Sequence, residues 1–520
     1  MSASAGRVLL IPKGDYDSQT TYNMLDMVYY GGKTYVCKQT STGNVPTNTV
    51  YWQIMLDGAG AFSELSDVEI TNVQNGDGVA YNAVSHKWEN TSPVSISIIS
   101  PPAKTDYISG EILDITGIVV VAEYSTGTTR IITNECTFSP ANGTTLTPAN
   151  TSVTVSWRTF TATQAITVAA PIYGVEWDGS SSPTYTRTDS AADFVDPVPY
   201  YAGMTGDPSS PFDTIYPWSQ MTIINDDTCG KLVSIPKYYY KLSQNGNSLK
   251  IQISATSQEG FSVSPAHMDR NDNNGERDVV YVGRYHCDST TKKSVSNSYP
   301  YTNKTRSVMR ETIHNLGTDV WQWDFATLFT IWLLYLVEFA GWNSQAKIGY
   351  GCGDNSAIQN VGYTDSMPYH TGTTQSSRTT YGLGTQYRHI EGLWDDVMDW
   401  LDGCYDNAQG LNIILNPANF SDSSGGTAIG VPTSGFPSQL TLKEVSGTFP
   451  MFIPTASSGS NSTYTCDQWN YASDRPCLIC GSYYGTVIGL YYGLFYIGDN
   501  DIATESTAIG TRIMKLPANS

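Results

Sequence analysis

Between Asp324 and Gly341 the chain reads FATLFTIWLLYLVEFA, sixteen residues with one charge, Glu338. Phe325, Leu328, Phe329, Trp332, Leu333, Leu336, Phe339 and Ala340 recur at the i, i+3, i+4 interval of a helix, and the opposite side carries Ile331, Leu334 and Val337. A helix apolar on every side cannot rest on a surface; it must be covered on both faces or enter a bilayer. Sixteen residues fall short of the roughly twenty that span a membrane. The segment therefore predicts a buried helix without membrane insertion, and the rest of the chain has to wrap it.

At 520 residues the chain exceeds one hydrophobic core, and its length predicts about three or four domains. Only 15% of residues are charged, against 35 Tyr and 46 Gly, a composition of β-rich folds with many turns. The 28 basic and 48 acidic residues leave a net charge of −20, which opposes binding to nucleic acid. Nine cysteines without a dense framework, and an amino terminus MSASAGRVLLIPKGDY lacking a secretion-signal pattern, lead us to expect folding in a reducing cytoplasm.

Four parts are expected along the chain. In 1–58, MVYY and KTYVCK flank Gly31-Gly32 and predict a hairpin. Tyr22, Asp26, Val28, Tyr30, Gly32, Tyr35, Asn44, Pro46 and Trp52 together resemble chitin-binding-type modules of chitinases and phage tail proteins, whose aromatics stack on sugars; in so small a unit they can equally form the core. Residues 59–92 hold Leu65-Ser66-Asp67-Val68, Asn75-Gly76-Asp77-Gly78, Tyr81-Asn82 and Lys87-Trp88-Glu89-Asn90, an order that resembles the connector of bacteriophage tail fibres. Residues 93–170 alternate as short strands, including 117–124 and SVTVSW at 152–157, spaced as in a sandwich. Tyr107, Ser109-Gly110-Glu111, Leu113-Asp114, Gly117, Val121-Ala122, Tyr124 and Gly127 resemble bacterial Ig-like domains, which implies a spacer.

Residues 171–520 carry Val263-Ser264-Pro265-Ala266 with VVYVGRY at 279–285, then Tyr335 to Gly351, then Tyr387-Arg388-His389-Ile390-Glu391-Gly392-Leu393-Trp394 with Trp400 and Asp402-Gly403. These stretches resemble the C-type-lectin-like fold of the formylglycine-generating-enzyme type, as in phage tail proteins and in variable proteins of diversity-generating retroelements. Asp395-Asp396 stands where that family commonly has Gly-Asn, which puts the local turn in question. Ile390, Leu393, Trp394, Val397, Met398 and Leu401 further predict a second, amphipathic helix. The expected fold class is thus multidomain: mainly β amino-terminal modules, comprising the small β module and an Ig-like sandwich, followed by an α+β C-type-lectin-like domain.

The stretch SYYGTVIGLYYGLFYIG, 482–498, places six aromatics among glycines and aliphatics. In retroelement variable proteins the last stretch forms part of the binding face, and adenine mutagenesis rewrites its displayed positions. The resemblance implies a receptor-binding set of Tyr471, Ser473, Asp474, Ser482, Tyr483, Tyr484, Tyr491, Tyr492, Phe495 and Tyr496, all within the broad range such mutagenesis yields. Tyr and Ser suit that task, since Tyr offers large amphipathic area at low entropic cost. The alternative is that part of the cluster fills the core.

Other chemistry is set aside. Cys477-Leu478-Ile479-Cys480 with Cys466 lacks a fourth ligand for zinc and the setting of a redox motif. Asp269 to Glu276 alternates oxygen ligands as a calcium loop does, but its glycine is one place late and the distal Glu is missing. Gly349-Tyr350-Gly351 follows a helix and is no dinucleotide loop. No metal, cofactor or catalytic residue is expected. The resemblances imply a phage or prophage tail-tip adhesin, found on the virion and assembled in the host cytoplasm, that recognises a bacterial surface glycan or protein, joins other tail proteins and forms a homo-oligomer, by resemblance a trimer. The alternative is a tail-associated enzyme that cleaves surface glycans, which requires paired carboxylates in a cleft.

Overall fold

The computed structural model describes residues 9–57, 65–72, 77–351, 357–380, 382–445, 449–484 and 492–517. It is mainly β and divides into two compact units, Met1–Ala170 and Pro171–Ser520.

In the first unit, strands Asp26–Tyr30 and Lys33–Cys37 form the expected hairpin, with Gly31 and Gly32 at φ 59° and 79° in its turn. Tyr22, Val28, Tyr35 and Trp52 are buried together, so these aromatics are core and not a sugar platform. Leu10 and Met27 share a second small core with Val79, which joins the first module to the Gly78–Asn82 and Lys87–Thr91 hairpin; Asn75 and Gly76 lie outside the described residues. Beyond it come two three-stranded sheets, Pro93–Ser100 with Val119–Tyr124 and Thr129–Ile131, and Thr137–Ser139 with Ser152–Trp157 and Phe160–Ala165. Alternate residues of SVTVSW, namely Val153, Val155 and Trp157, point into the core, as period-two patterning requires.

In the second unit, helix α1 spans Arg306–His314, α2 spans Phe325–Phe339 and α3 spans Ser344–Lys347. All fifteen residues of α2 are buried. Asp324 caps its start by accepting the Thr327 N–H at 2.9 Å, and Ala340 closes it in the left-handed region at φ 48°. Strands Ile172–Trp177 and Ser248–Ser254 lie against α2. From other directions Phe452 approaches the Phe329 ring at 5.0 Å and Phe495 approaches Trp332 at 5.3 Å. The apolar helix is thus wrapped, and among the described residues no helix is long and apolar enough to cross a membrane.

Burying Glu338 inside α2 requires partners. Arg388 Nε donates to its Oε2 at 2.8 Å, the Tyr387 hydroxyl donates to the same oxygen at 3.0 Å, and the Ser210 hydroxyl donates to Oε1 at 2.7 Å. Near the end of the chain, Ile513–Lys515 inserts between strands Val279–Gly283 and Val320–Gln322. Arg512, fully buried, donates to the carbonyls of Gly283 at 2.9 Å and Glu391 at 2.8 Å, locking that strand in place.

The helix expected over 390–401 is not formed. Ile390–Glu391 and Met398–Trp400 are strands, the latter pairing with Cys477–Cys480 and Ile509–Gly510. Gly392 turns the chain at φ 68°. Every residue from 390 to 400 is buried, so its apolar spacing reflects coverage on all sides and not one helical face.

Candidate functional site

The Tyr-rich stretch is described at 482–484 and from 492 onward, and the chain at both places is fixed by named bonds. On the carboxyl side, the Asp467 carboxylate accepts the Gly493 N–H at 2.8 Å and the Phe495 N–H at 2.9 Å. The Ser344 hydroxyl accepts the Leu494 N–H at 3.0 Å, and the Trp332 indole N–H donates to the Leu494 carbonyl at 2.8 Å. Three consecutive backbone N–H groups are therefore held by Asp467 and by Ser344 of α3, and the intervening carbonyl by Trp332 of α2. Gly493 is required by this packing: a Cβ there would lie 2.6 Å from both Asp467 Oδ2 and Ser344 Oγ. Burial pushes the Asp467 carboxyl up to about 7, against the lowering effect of its two N–H donors.

On the amino side, the Tyr484 N–H donates to the Asp396 carbonyl at 3.1 Å and its hydroxyl lies 3.2 Å from Thr507 Oγ1. Asp396 Oδ2 accepts the Gln359 N–H at 2.7 Å, while Asp395 Oδ2 accepts the N–H of Thr385 at 3.0 Å and its hydroxyl at 2.9 Å. Asp395 and Asp396 thus fix the backbone at Thr385, Gln359 and Tyr484. Burial raises both carboxyls, most for Asp395.

Three rings connect the two sides. Tyr483 and Tyr492 lie 5.8 Å apart, and Tyr492 meets Tyr496 edge-on at 4.3 Å. Tyr483, Tyr484 and Tyr492 are half-buried. Three members of the expected set are corrected: Ser482, Phe495 and Tyr496 are buried, at 0%, 5% and 6% exposure. Phe495 packs on Trp332 and Trp342, and Tyr496 on Tyr492, because the clamp draws this end of the stretch into the core. Tyr491 lies outside the described residues.

Tyr471, Ser473 and Asp474 stand apart from the three rings. Tyr471 is half-buried, its hydroxyl donating to the Asn407 carbonyl at 2.6 Å, while Ser473 and Asp474 are exposed. The bridge to the ring cluster is Asn470, whose side-chain nitrogen donates to the Tyr496 hydroxyl at 3.4 Å. Asp467, Ser344, Trp332 and Asn470 are the residues that sequence reasoning missed. Only the tight aromatic spacing around Gly493 hinted that something was packed against it.

Beneath Tyr471 lies Asp406, 1% exposed, with neither carboxylate oxygen partnered among the described residues. Burial, with the Asp499 charge second, pushes it up to about 8. Asp406 with Asp499, like Asp395 with Asp396, puts a raised acid beside a second carboxylate, but Asp406 and Asp395 are both sealed from any glycosidic oxygen. Ser264 and His267 form another pair, 2.7 Å apart, yet both are fully buried and His267 Nε2 faces the Ile235 carbonyl at 2.8 Å where a triad has an acid.

Cys477 and Cys480 lie three apart on one strand, so their thiols face opposite sides and join different cores. Burial raises both thiols, Cys477 to about 11. In the 269–276 turn, Asp269 accepts the Asn271 N–H at 2.8 Å and Asp272 pairs with Arg277, so these carboxylates close the turn themselves. Among the described residues no cluster of three or more His, Cys, Asp or Glu side chains has metal-binding geometry.

Residues 100–168 match the bacterial Ig-like domain, group 3. The Ig-like domain covers most of the sandwich and holds its two cores, one around Val120, Ala122, Val155 and Trp157, the other around Tyr107, Leu113, Leu146 and Val153. No curated protein matches the chain.

Proposed function

We propose that the chain is a phage or prophage tail-tip adhesin, with a C-type-lectin-like second unit that recognises a host surface glycan or protein and a first unit that attaches and spaces it. The observation that carries this reading is the clamp on Gly493, Leu494 and Phe495, which fixes the chain next to Tyr492 while Tyr483, Tyr484 and Tyr492 keep partial exposure. A preorganised aromatic surface binds without first having to order itself, which lowers the entropic cost of recognition. Tyr471, Ser473 and Asp474 extend the polar part of that surface. Recognition is reversible, with stacking and hydrogen bonds from the rings, and several copies on one virion, by resemblance as trimers beside other tail proteins, add avidity.

The experiment is a cell-binding assay with fluorescently labelled chain on candidate host bacteria. The reading expects saturable binding that unlabelled chain competes away. Turnover of envelope polysaccharide without such binding would favour the glycan-cleaving alternative.

A further inference from the structure

The first unit contains a cleft of about 920 Å³, lined by the first module, the Gly78–Asn82 and Lys87–Thr91 hairpin, and the Ig-like domain. That volume lies within the range of about 300–1,000 Å³ typical of small-ligand sites. Its lining is mixed in a specific way. Lys13 comes from strand Ile11–Asp15, and its ammonium sits 3.7 Å from Asp26, beyond hydrogen-bonding reach and 42% exposed. Arg130 pairs through Nη2 with Glu135 at 2.8 Å, while its Nε is buried with no acceptor among the described residues. Glu135 is held a second time, by the Trp157 indole N–H at 3.1 Å. Tyr81, 43% exposed, meets Trp88 edge-on at 5.7 Å and gives the cleft an aromatic wall.

We propose that this cleft binds an acidic saccharide, with Arg130 and Lys13 taking a sugar carboxylate, Glu135 accepting a hydroxyl, and Tyr81 covering a ring face. The reasons are complementary. Arg130 spends Nη2 on Glu135 yet its side chain stays 30% exposed, so the open part of the guanidinium can meet a ligand carboxylate. Two carboxylates in the same lining disfavour a polyphosphate, whose charge they repel, but suit a ligand that offers many hydroxyls and one acid per ring. The exposed Tyr81 ring, braced edge-on by Trp88, provides an apolar face that a sugar ring can cover. None of these residues belongs to the receptor-binding set, so this site and the proposed face stand or fall separately.

The test is calorimetric titration of the full chain with trigalacturonic acid and, in parallel, neutral maltotriose. Saturable binding of the acid is expected, at least about tenfold tighter than maltotriose, and weakened about tenfold by Arg130→Gln and by Tyr81→Ala. Tyr484→Ser should leave it unchanged. Should Arg130→Gln fail to fold, Lys13→Gln at an exposed ammonium reports the same carboxylate contact. Absence of binding, equal affinity for the two sugars, unchanged affinity in folded Arg130→Gln or Lys13→Gln, or loss in Tyr484→Ser would overturn the proposal.

Discussion

Asp467 both holds and confines Gly493: its carboxylate accepts the Gly493 N–H at 2.8 Å and would stand 2.6 Å from any Cβ placed there. Asp467→Ala strips an acceptor from two buried N–H groups, at about 1–3 kcal/mol each. Gly493→Ala forces the clamp open sterically. Both variants should unfold at lower urea concentration than wild type, and Ser344→Ala, which removes one acceptor, by a smaller amount. Equal stability of Asp467→Ala and wild type would show that the clamp does not hold the segment.

The unpartnered Asp406 gives a pH dependence with a defined sign. Its folded value, about 8, lies above the ordinary 3.8, so the folded state holds its proton where the unfolded chain has lost it. Stability from this group is present below about pH 4 and is lost as pH rises towards 8. Asp406→Asn removes that slope. The variant should therefore gain on wild type between pH 5 and pH 8, by on the order of 2 kcal/mol, in urea unfolding at the two pH values. Parallel curves would place the Asp406 carboxylate in water.

Glu338 and Arg388 make the complementary case of a buried pair whose partners are present. Removing one side leaves the other charged and buried, and costs about 3–5 kcal/mol. Glu338→Gln and Arg388→Met should each destabilise strongly, whereas the double variant should recover part of the loss, measured as the coupling in a double-mutant cycle. Additive losses would mean that the two side chains do not sense each other.

What the sequence disclosed followed from local pattern. Helix α2 was legible because an all-round apolar run at helical spacing has few other solutions, and the Gly31-Gly32 hairpin because its turn needs positive φ. The 390–401 stretch misled for the same reason that α2 did not: once every residue is buried, strand-turn-strand and helix share one composition, and only pairing with Cys477–Cys480 decides. α1 was not foreseen, since its buried Arg306 is held at 2.8 Å by Asp422, 116 residues away. Asp467 reads as an ordinary loop acid until its donors, 26 and 28 residues later, are placed beside it. For the same reason Ser482, Phe495 and Tyr496 could not be separated in advance from Tyr483, Tyr484 and Tyr492: the clamp draws Phe495 and Tyr496 inward, Ser482 follows the buried strand Cys477–Cys480, and the three tyrosines stay half-buried.

The most direct measurement is host-cell binding by the triple variant Tyr483→Ser/Tyr484→Ser/Tyr492→Ser, beside a variant at Tyr30, an exposed ring of the first module. Far-ultraviolet circular dichroism and the urea midpoint verify that both remain folded. The account predicts that the triple variant loses binding by at least about tenfold while Tyr30→Ser binds as wild type. A folded triple variant that binds host cells as tightly as wild type would contradict it.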